Sequence, residues 1–347
     1  MLESGGVKDA LGFVTAVAVF AVAIEVARRV AVAMGAVARP NPLVRSHRRP
    51  VPYLGGTALV LAWLAMWLVP YITSGRPLER AQLLRAACAL AFVAFGTLDD
   101  LRAFSPRTKF SIQLAICAVY LMVASPTAIG TQAIHLFVLV SLVNAFNLVD
   151  VMDGLLCVIV AITLGALLVT PGLTPGSLRP EMLLLLAGLA ALFAFNAPTA
   201  RIYSGDAGSM TLGFVVGTWL LAVAHGASPL RTLSLVGVIA APVLELLILV
   251  PARLRRGVSP FRGSPDHFAL RLQDQLGWSK WSVLAATAAL ASMFALAPWV
   301  AGGLRPVAAG AVAVVLTGAG ASLWYLLWRI PPRVATDRSL GASADRE

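Results

Sequence analysis

The sequence predicts an all-α, polytopic integral membrane protein of about ten to eleven spans, with its N-terminus outside and its active site on the cytoplasmic face. Three observations carry that expectation. Of 347 residues, 59% are hydrophobic and only 12% charged, against about 25% charged in soluble domains, and the mean hydropathy is +0.84. The apolar residues form solid runs of roughly 20, enough for a helix to cross ~30 Å of hydrocarbon, without the alternation of a barrel strand. The net charge of +11 is shared unequally between alternate connections, as cytoplasmic loops require.

The runs fall near residues 10–34, 54–73, 81–98, 109–125, 134–149, 154–170, 181–197, 208–225, 232–252, 282–300 and 306–329. Lys8 lies between Glu3 and Asp9, and Arg28 and Arg29 follow most of the first run. A cleavable signal puts its positive charge first, so this run is expected to be a retained helix with its N-terminus outside. Seven basic residues then fall at outer ends: Lys8, Arg76, Arg80, Arg85, Arg179, Arg231 and Arg305. The other 20 of the 27 Lys and Arg fall inside. Residues 1–330 are expected to form one membrane domain, and the polar, Pro-led stretch 331–347 a disordered tail.

Two classes of function drop out. Cys88, Cys117 and Cys157 lie in apolar stretches, which excludes a disulfide framework and a thiolate metal site. The basic excess records membrane sidedness, so no nucleic-acid partner is expected.

The same partition sorts the acids. Asp99, Asp100, Asp150, Asp153, Asp206, Asp266 and Asp274 all fall at inner ends, whereas the outer Glu3, Asp9, Glu79 and Glu181 share no pattern. Function is therefore expected at the cytoplasmic ends, in five segments. RPNPLVRSHRRPVPYLGG brings Arg39, Arg45, Arg48 and Arg49 to the entry of the second run, as a substrate entrance or as contacts to anionic headgroups. FGTLDDLRAFSPRTKF sets Asp99 beside Asp100, followed by Arg102, Arg107 and Lys109. Adjacent carboxylates repel, so a cation is expected nearby; Mg²⁺, with Mn²⁺ as an alternative, suits all-oxygen donors and bridges carboxylates to phosphates. A solvated loop start offset by arginines is the plainer reading.

In NAFNLVDVMDGL, Asn144, Asn147, Asp150 and Asp153 recur every third residue. Such a set drifts around an α-helix unless the helix breaks, and Gly154 marks the expected break. In NAPTARIYSGDAGSM, Asp206 lies between Gly205 and Gly208, at a helix start whose amides suit an anion, or simply at a turn and N-cap. The last segment, near 252–281, holds Arg253, Arg255, Arg256, Arg262, His267 and Arg271, a basic lid over a polyanion or a positive-inside loop.

Together HRRPVPYLGG, DDLRAFSPRTKF, NAFNLVDVMDGL, RIYSGDAGSM and SPFRGSPDHFALRL resemble, in order, the motifs of the polyprenyl-phosphate N-acetylhexosamine-1-phosphate transferase family. That resemblance implies transfer of a sugar-1-phosphate from a UDP-N-acetylhexosamine to a polyprenyl phosphate such as undecaprenyl phosphate, giving a polyprenyl-diphosphate sugar and UMP. It implies a plasma-membrane setting, Mg²⁺ and a homodimer. By its motifs, Asp99 and Asp100 resemble the paired catalytic aspartates, which also neighbour the metal, and Asp206 resembles the metal ligand. Asn147, Asp150 and Asp153 correspond to an Asn-x-x-Asp-x-x-Asp lining the groove. Asn196 and Tyr203 fall where the family meets uracil, and Lys109 where it meets phosphates. Of a His-x-His-His cluster only His267 remains; Ala269 and Leu270 replace the others, and Arg271 is the candidate substitute. The rival expectations are a multi-span transporter and a non-catalytic lipid-binding or flipping protein.

Overall fold

The structure, a computed structural model, describes residues 3–38, 49–75, 77–124, 127–170, 172, 174–257, 259, 266–297, 299, 300, 304 and 306–330. Arg39, Arg45, His47, Arg48, Arg76, Pro260, Arg262, Pro265, Arg305 and the expected tail at 331–347 lie outside the described residues. Among the described residues thirteen helices run in order: α1 Glu3–Met34, α2 Gly55–Ser74, α3 Arg80–Arg102, α4 Pro106–Ala124, α5 Ile129–Val149, α6 Leu155–Val169, α7 Arg179–Asn196, α8 Gly205–Ala224, α9 Pro229–Val238, α10 Ala240–Arg255, α11 Phe268–Leu276, α12 Lys280–Ala295 and α13 Pro306–Arg329. Among the described residues the only strands are β1 Val37–Ala38 and β2 Val51–Pro52, an antiparallel pair between α1 and α2.

Each apolar run becomes a helix or a helix pair. Among the described residues eight helices are long and apolar enough to span a membrane, and α6 and α12 are shorter apolar helices. The chain is a multi-pass membrane protein. The run near 232–252 is the exception: α9 and α10 meet at 75°. Pro242 has no N–H and its ring crowds the carbonyl four residues back, which is Val238. That carbonyl instead accepts the Thr163 hydroxyl at 3.1 Å.

Helix α8 is the axis of the bundle. Its apolar window is 83% buried, against 17% for α1. α3, α5 and α2 pack around it, and Trp219 and Phe214 are fully enclosed. Small residues along α8, Ala207, Gly208, Ser209, Gly213 and Gly217, let neighbouring backbones approach where lipid offers no hydrophobic drive to associate. Leu11, Ile129, Phe137 and Val314 are exposed on the outer helices, as lipid-facing side chains should be.

At the end assigned to the outside, one of the four outer acids is buried in a polar cluster. Glu181 is 2% exposed and accepts Gln82 Nε2 at 2.9 Å and Trp219 Nε1 at 3.3 Å, with Arg85 at 3.6 Å. A buried charge survives when its lone pairs are all engaged. These residues tie α3, α7 and α8 together.

Candidate active site

The aspartates expected to work together do meet, at the ends of α3 and α8 assigned to the inside. Asp99, Asp100, Asp206 and Lys109 come from three helices. The Lys109 ammonium pairs with Asp99 and lies 2.5 Å from Asp206 Oδ2. It is the cation that two neighbouring carboxylates demand. Asp99, 3% exposed, also accepts the Phe104 N–H at 2.7 Å, and its carbonyl accepts the Ala103 N–H. The loop from α3 to α4 is thus folded back onto Asp99, which brings Lys109 to the cluster.

Asp100 does something different. Its carboxylate accepts the Asp206 N–H at 2.9 Å and the Ala207 N–H at 3.5 Å. The anion at the start of α8 is therefore a side chain of the protein. The unbonded amides and partial positive charge of a helix N-terminus explain the placement. Gly205 makes it possible: its φ is +69°, and a Cβ there would press on the Asp100 carboxylate.

Helix α5 ends at Val149, and the motif residues fan out to four neighbours. Asn144 bonds Gln113 at 2.8 Å. Asn147 donates to Asp206 Oδ1 at 2.8 Å and to Ser209 at 2.9 Å. Asp150 accepts the Ser204 hydroxyl at 2.6 Å. Asp153 accepts the Ala200 N–H at 3.2 Å and Lys280 Nζ at 2.5 Å. The expected drift around the helix is real, and each step of it is used. Gly154, at φ +76°, is the break. Burial holds the Asp150 carboxyl well above its ordinary value, opposed by the Ser204 bond, while Asp206, Asp100 and Asp153 raise it further.

Asn196 is buried. It accepts the Gly154 N–H and donates to the Ile202 carbonyl, both at 2.8 Å, so its amide clamps the α5–α6 turn to the loop entering α8. Tyr203 is half-buried, and burial with Asp153 and Asp150 nearby pushes its phenol up. Its backbone accepts the Gly55 N–H at 3.0 Å and donates to Pro52 at 2.9 Å. The Gly-Gly start of α2 is thereby joined to the Gly-Asp start of α8.

The last segment departs from the expected lid. His267 Nδ1 bonds Glu245 Oε1 of α10 at 2.6 Å, and the Phe268 N–H reaches Glu245 Oε2 at 3.3 Å. Arg271 is 2% exposed. It donates to the Asp266 carbonyl at 2.7 Å and the Ile330 carbonyl at 2.9 Å. Arg256 pairs with Asp266, and the Arg255 guanidinium lies 4.6 Å over the Trp328 ring. These arginines knit α10, α11 and α13 together, and the bonds of His267 and Arg271 lead to those helices, away from the aspartate cluster. Ser204 and Ser209 lie within the RIYSGDAGSM motif but were not singled out in it, and Lys280 lies outside the five family motifs; all three join the site through folding.

The donor set suits a hard divalent ion, since Asp99 and Asp206 present oxygens that already converge on one cation. Among the described residues no group of three His, Cys, Asp or Glu side chains forms a cage. Such an ion would take the two carboxylates and complete its shell with water or phosphate, the usual mode for Mg²⁺.

The sequence profile of Glycosyl transferase family 4 matches residues 83–224, from α3 through α8. An undecaprenyl-phosphate alpha-N-acetylglucosaminyl 1-phosphate transferase of Yersinia pestis is 30% identical over 268 residues, 70% of each chain. Its counterpart in Escherichia coli (strain K12) is 30% identical over 265 residues, 69% of each. A phospho-N-acetylmuramoyl-pentapeptide-transferase of Geobacillus kaustophilus is 27% identical over 285 residues, 73% of this chain and 84% of the relative. The chain belongs to the family of membrane transferases that these proteins represent, the polyprenyl-phosphate hexosamine-1-phosphate transferases of glycosyl transferase family 4.

Proposed function

We propose that the protein transfers a sugar-1-phosphate, N-acetylhexosamine-1-phosphate in the first instance, from a UDP-sugar to undecaprenyl or a related polyprenyl phosphate in the plasma membrane. The products are a polyprenyl-diphosphate sugar and UMP, and the setting is cell-envelope polysaccharide synthesis. The observation that carries the reading is the meeting of Asp99 and Asp206 on Lys109 at the ends of the spans. A lipid headgroup and a cytoplasmic nucleotide can meet there. A transporter would instead gather its polar groups at mid-helix breaks, and the α9–α10 break at Ile239 lies among apolar residues.

In this reaction a phosphate oxygen of the lipid attacks the β-phosphorus of the UDP-sugar, and UMP leaves. Two anions must approach, so fixed positive charge has to face the developing negative charge. Lys109 supplies it. Asp99 is the candidate to take a proton from the lipid phosphate, with Lys109 keeping its carboxylate ionised. Asn147 orients Asp206, and Asp100 holds the start of α8 that carries it. Mg²⁺ bound by Asp99 and Asp206 would supply further charge neutralisation of the phosphates. Tyr203 offers an aromatic face to the base.

The test is to incubate the purified protein with undecaprenyl phosphate and a panel of UDP-sugars and to measure UMP release with and without Mg²⁺. Asp99→Asn, Asp100→Asn and Asp206→Asn should each abolish metal-dependent product while leaving the protein inserted. Full turnover in all three variants, or no UMP from any pair of substrates, sinks the proposal.

A further inference from the structure

Two contacts join the α11–α12 hairpin to the turn between α5 and α6, and a third reaches it through α7. Gln273 Nε2 lies 3.0 Å from Met152 Sδ, and Lys280 Nζ lies 2.5 Å from Asp153 Oδ2. Trp281 packs edge-on against Phe193 with ring centres 6.4 Å apart, and the Phe193 ring abuts Gly154. Met152 and Asp153 are thus held directly from one hairpin, and Gly154 is backed by Phe193 of α7, on which the hairpin's Trp281 packs. The strongest tie is the ion pair, whose side chains are 14% and 6% exposed. Lys280 lies at the first position of α12, whose start is capped by Ser279 accepting the Ser282 N–H at 3.0 Å. Its anchor is therefore rigid.

The turn needs such a hold. Asp150 and Asn147 face the cluster from one side of the α5 end, while Asp153, three residues on, is turned to the other side and fixes the loop before α8 through the Ala200 N–H. A carboxylate this buried is stable only with a paired charge. Lys280 supplies the charge from a part of the chain outside the family match at residues 83–224.

We propose that Lys280 is a positioning residue for the transfer reaction: through Asp153 it locks the α5–α6 turn, and with it Asp150 and the loop leading to Asp206, in the working arrangement. The inference rests on the transferase reading above. It adds a residue to which no motif points, and it makes the C-terminal hairpin a structural part of the catalytic end.

The test uses the full-length protein in lipid nanodiscs with undecaprenyl phosphate and UDP-N-acetylglucosamine, following UMP release. Lys280→Met should lower kcat about 10- to 100-fold and leave both KM values within about twofold, since misplacing a site costs turnover without touching substrate. Lys280→Arg should recover most of the rate. Lys280→Met combined with Asp153→Asn removes both charges together, so it survives where the single variant fails to fold. Its rate should match that of Asp153→Asn alone, because the lysine acts only through that aspartate. Hydrogen exchange at residues 151–156 should quicken in Lys280→Met and remain unchanged in α2.

A KM for the UDP-sugar that rises with kcat kept would make Lys280 a substrate ligand and overturn the positioning role. Unchanged rate and unchanged exchange would overturn it as well. If the wild-type protein turns over no substrate pair, the transferase reading falls, and the exchange measurement alone still decides whether Lys280 locks the turn.

Discussion

Asp100 caps the helix that carries Asp206: its carboxylate accepts the Asp206 backbone N–H at 2.9 Å. Two aspartates of the candidate site are thus engaged differently: the Asp206 carboxylate meets Lys109 and Asn147, and the Asp100 carboxylate holds a helix start. The adjacent Asp99 and Asp100 diverge because successive residues on a helix face different neighbours.

Gly205 makes that cap possible. Gly205→Ala forces an L side chain to φ +69° and drives its Cβ against Asp100, costing about 1–2 kcal/mol from the backbone alone. We expect a lower thermal midpoint and UMP release down at least tenfold. Gly130→Ala, where a Cβ meets nothing within 4 Å, is the matched control and should behave as wild type.

Lys109 stands where a divalent cation would be drawn. Lys109→Met leaves Asp99 and Asp206 without their shared ammonium. With the lysine side chain 31% exposed, we expect a loss of about 1–2 kcal/mol, less than the ~3–5 of a fully enclosed pair. Mg²⁺ titrated into metal-free protein should raise the thermal midpoint of Lys109→Met more than that of wild type. An equal rise in both would mean that the ion binds elsewhere.

Asp150 titrates against folding. Its folded carboxyl is held above its ordinary value by burial, so the folded form binds the proton more tightly than the unfolded form does. Stability therefore falls as pH rises above the ordinary carboxylate range, about pH 4. Asp150→Asn removes the titration and keeps an acceptor for Ser204. Its thermal midpoint should exceed that of wild type at pH 7 to 8, and the gain should vanish toward about pH 4. A gain that grows on acidification would refute the assignment.

Asn196 serves two backbone groups, Gly154 N–H and Ile202 carbonyl. Asn196→Ala leaves both unpaired in a buried place and should cost about 2 kcal/mol. Loss of affinity for the UDP-sugar without that loss of stability would instead mark a direct contact with the nucleotide.

The span pattern was legible because a bilayer imposes one length and one polarity on every crossing segment. The ninth run was legible as apolar but not as bent, since whether Pro242 merely kinks a helix or divides it depends on a partner for the Val238 carbonyl. That partner, Thr163, is supplied by another helix. Gly154 announced its own break, because a positive φ is a local demand that a glycine meets.

The five inner motifs named the candidate residues, but not which of them meet or what each bonds. Asp99, Asp150 and Asp206 do point into one cluster or its rim. Asp153, Asn196 and Arg271 bond to groups of the protein itself, and Lys280 and the Glu181 cluster carried no recognisable pattern at all. Residue type and sidedness are properties of the chain and can be read from it directly. Which oxygen faces a ligand and which faces a neighbouring amide depends on how helices far apart in sequence rotate against α8, and only the packed bundle settles that.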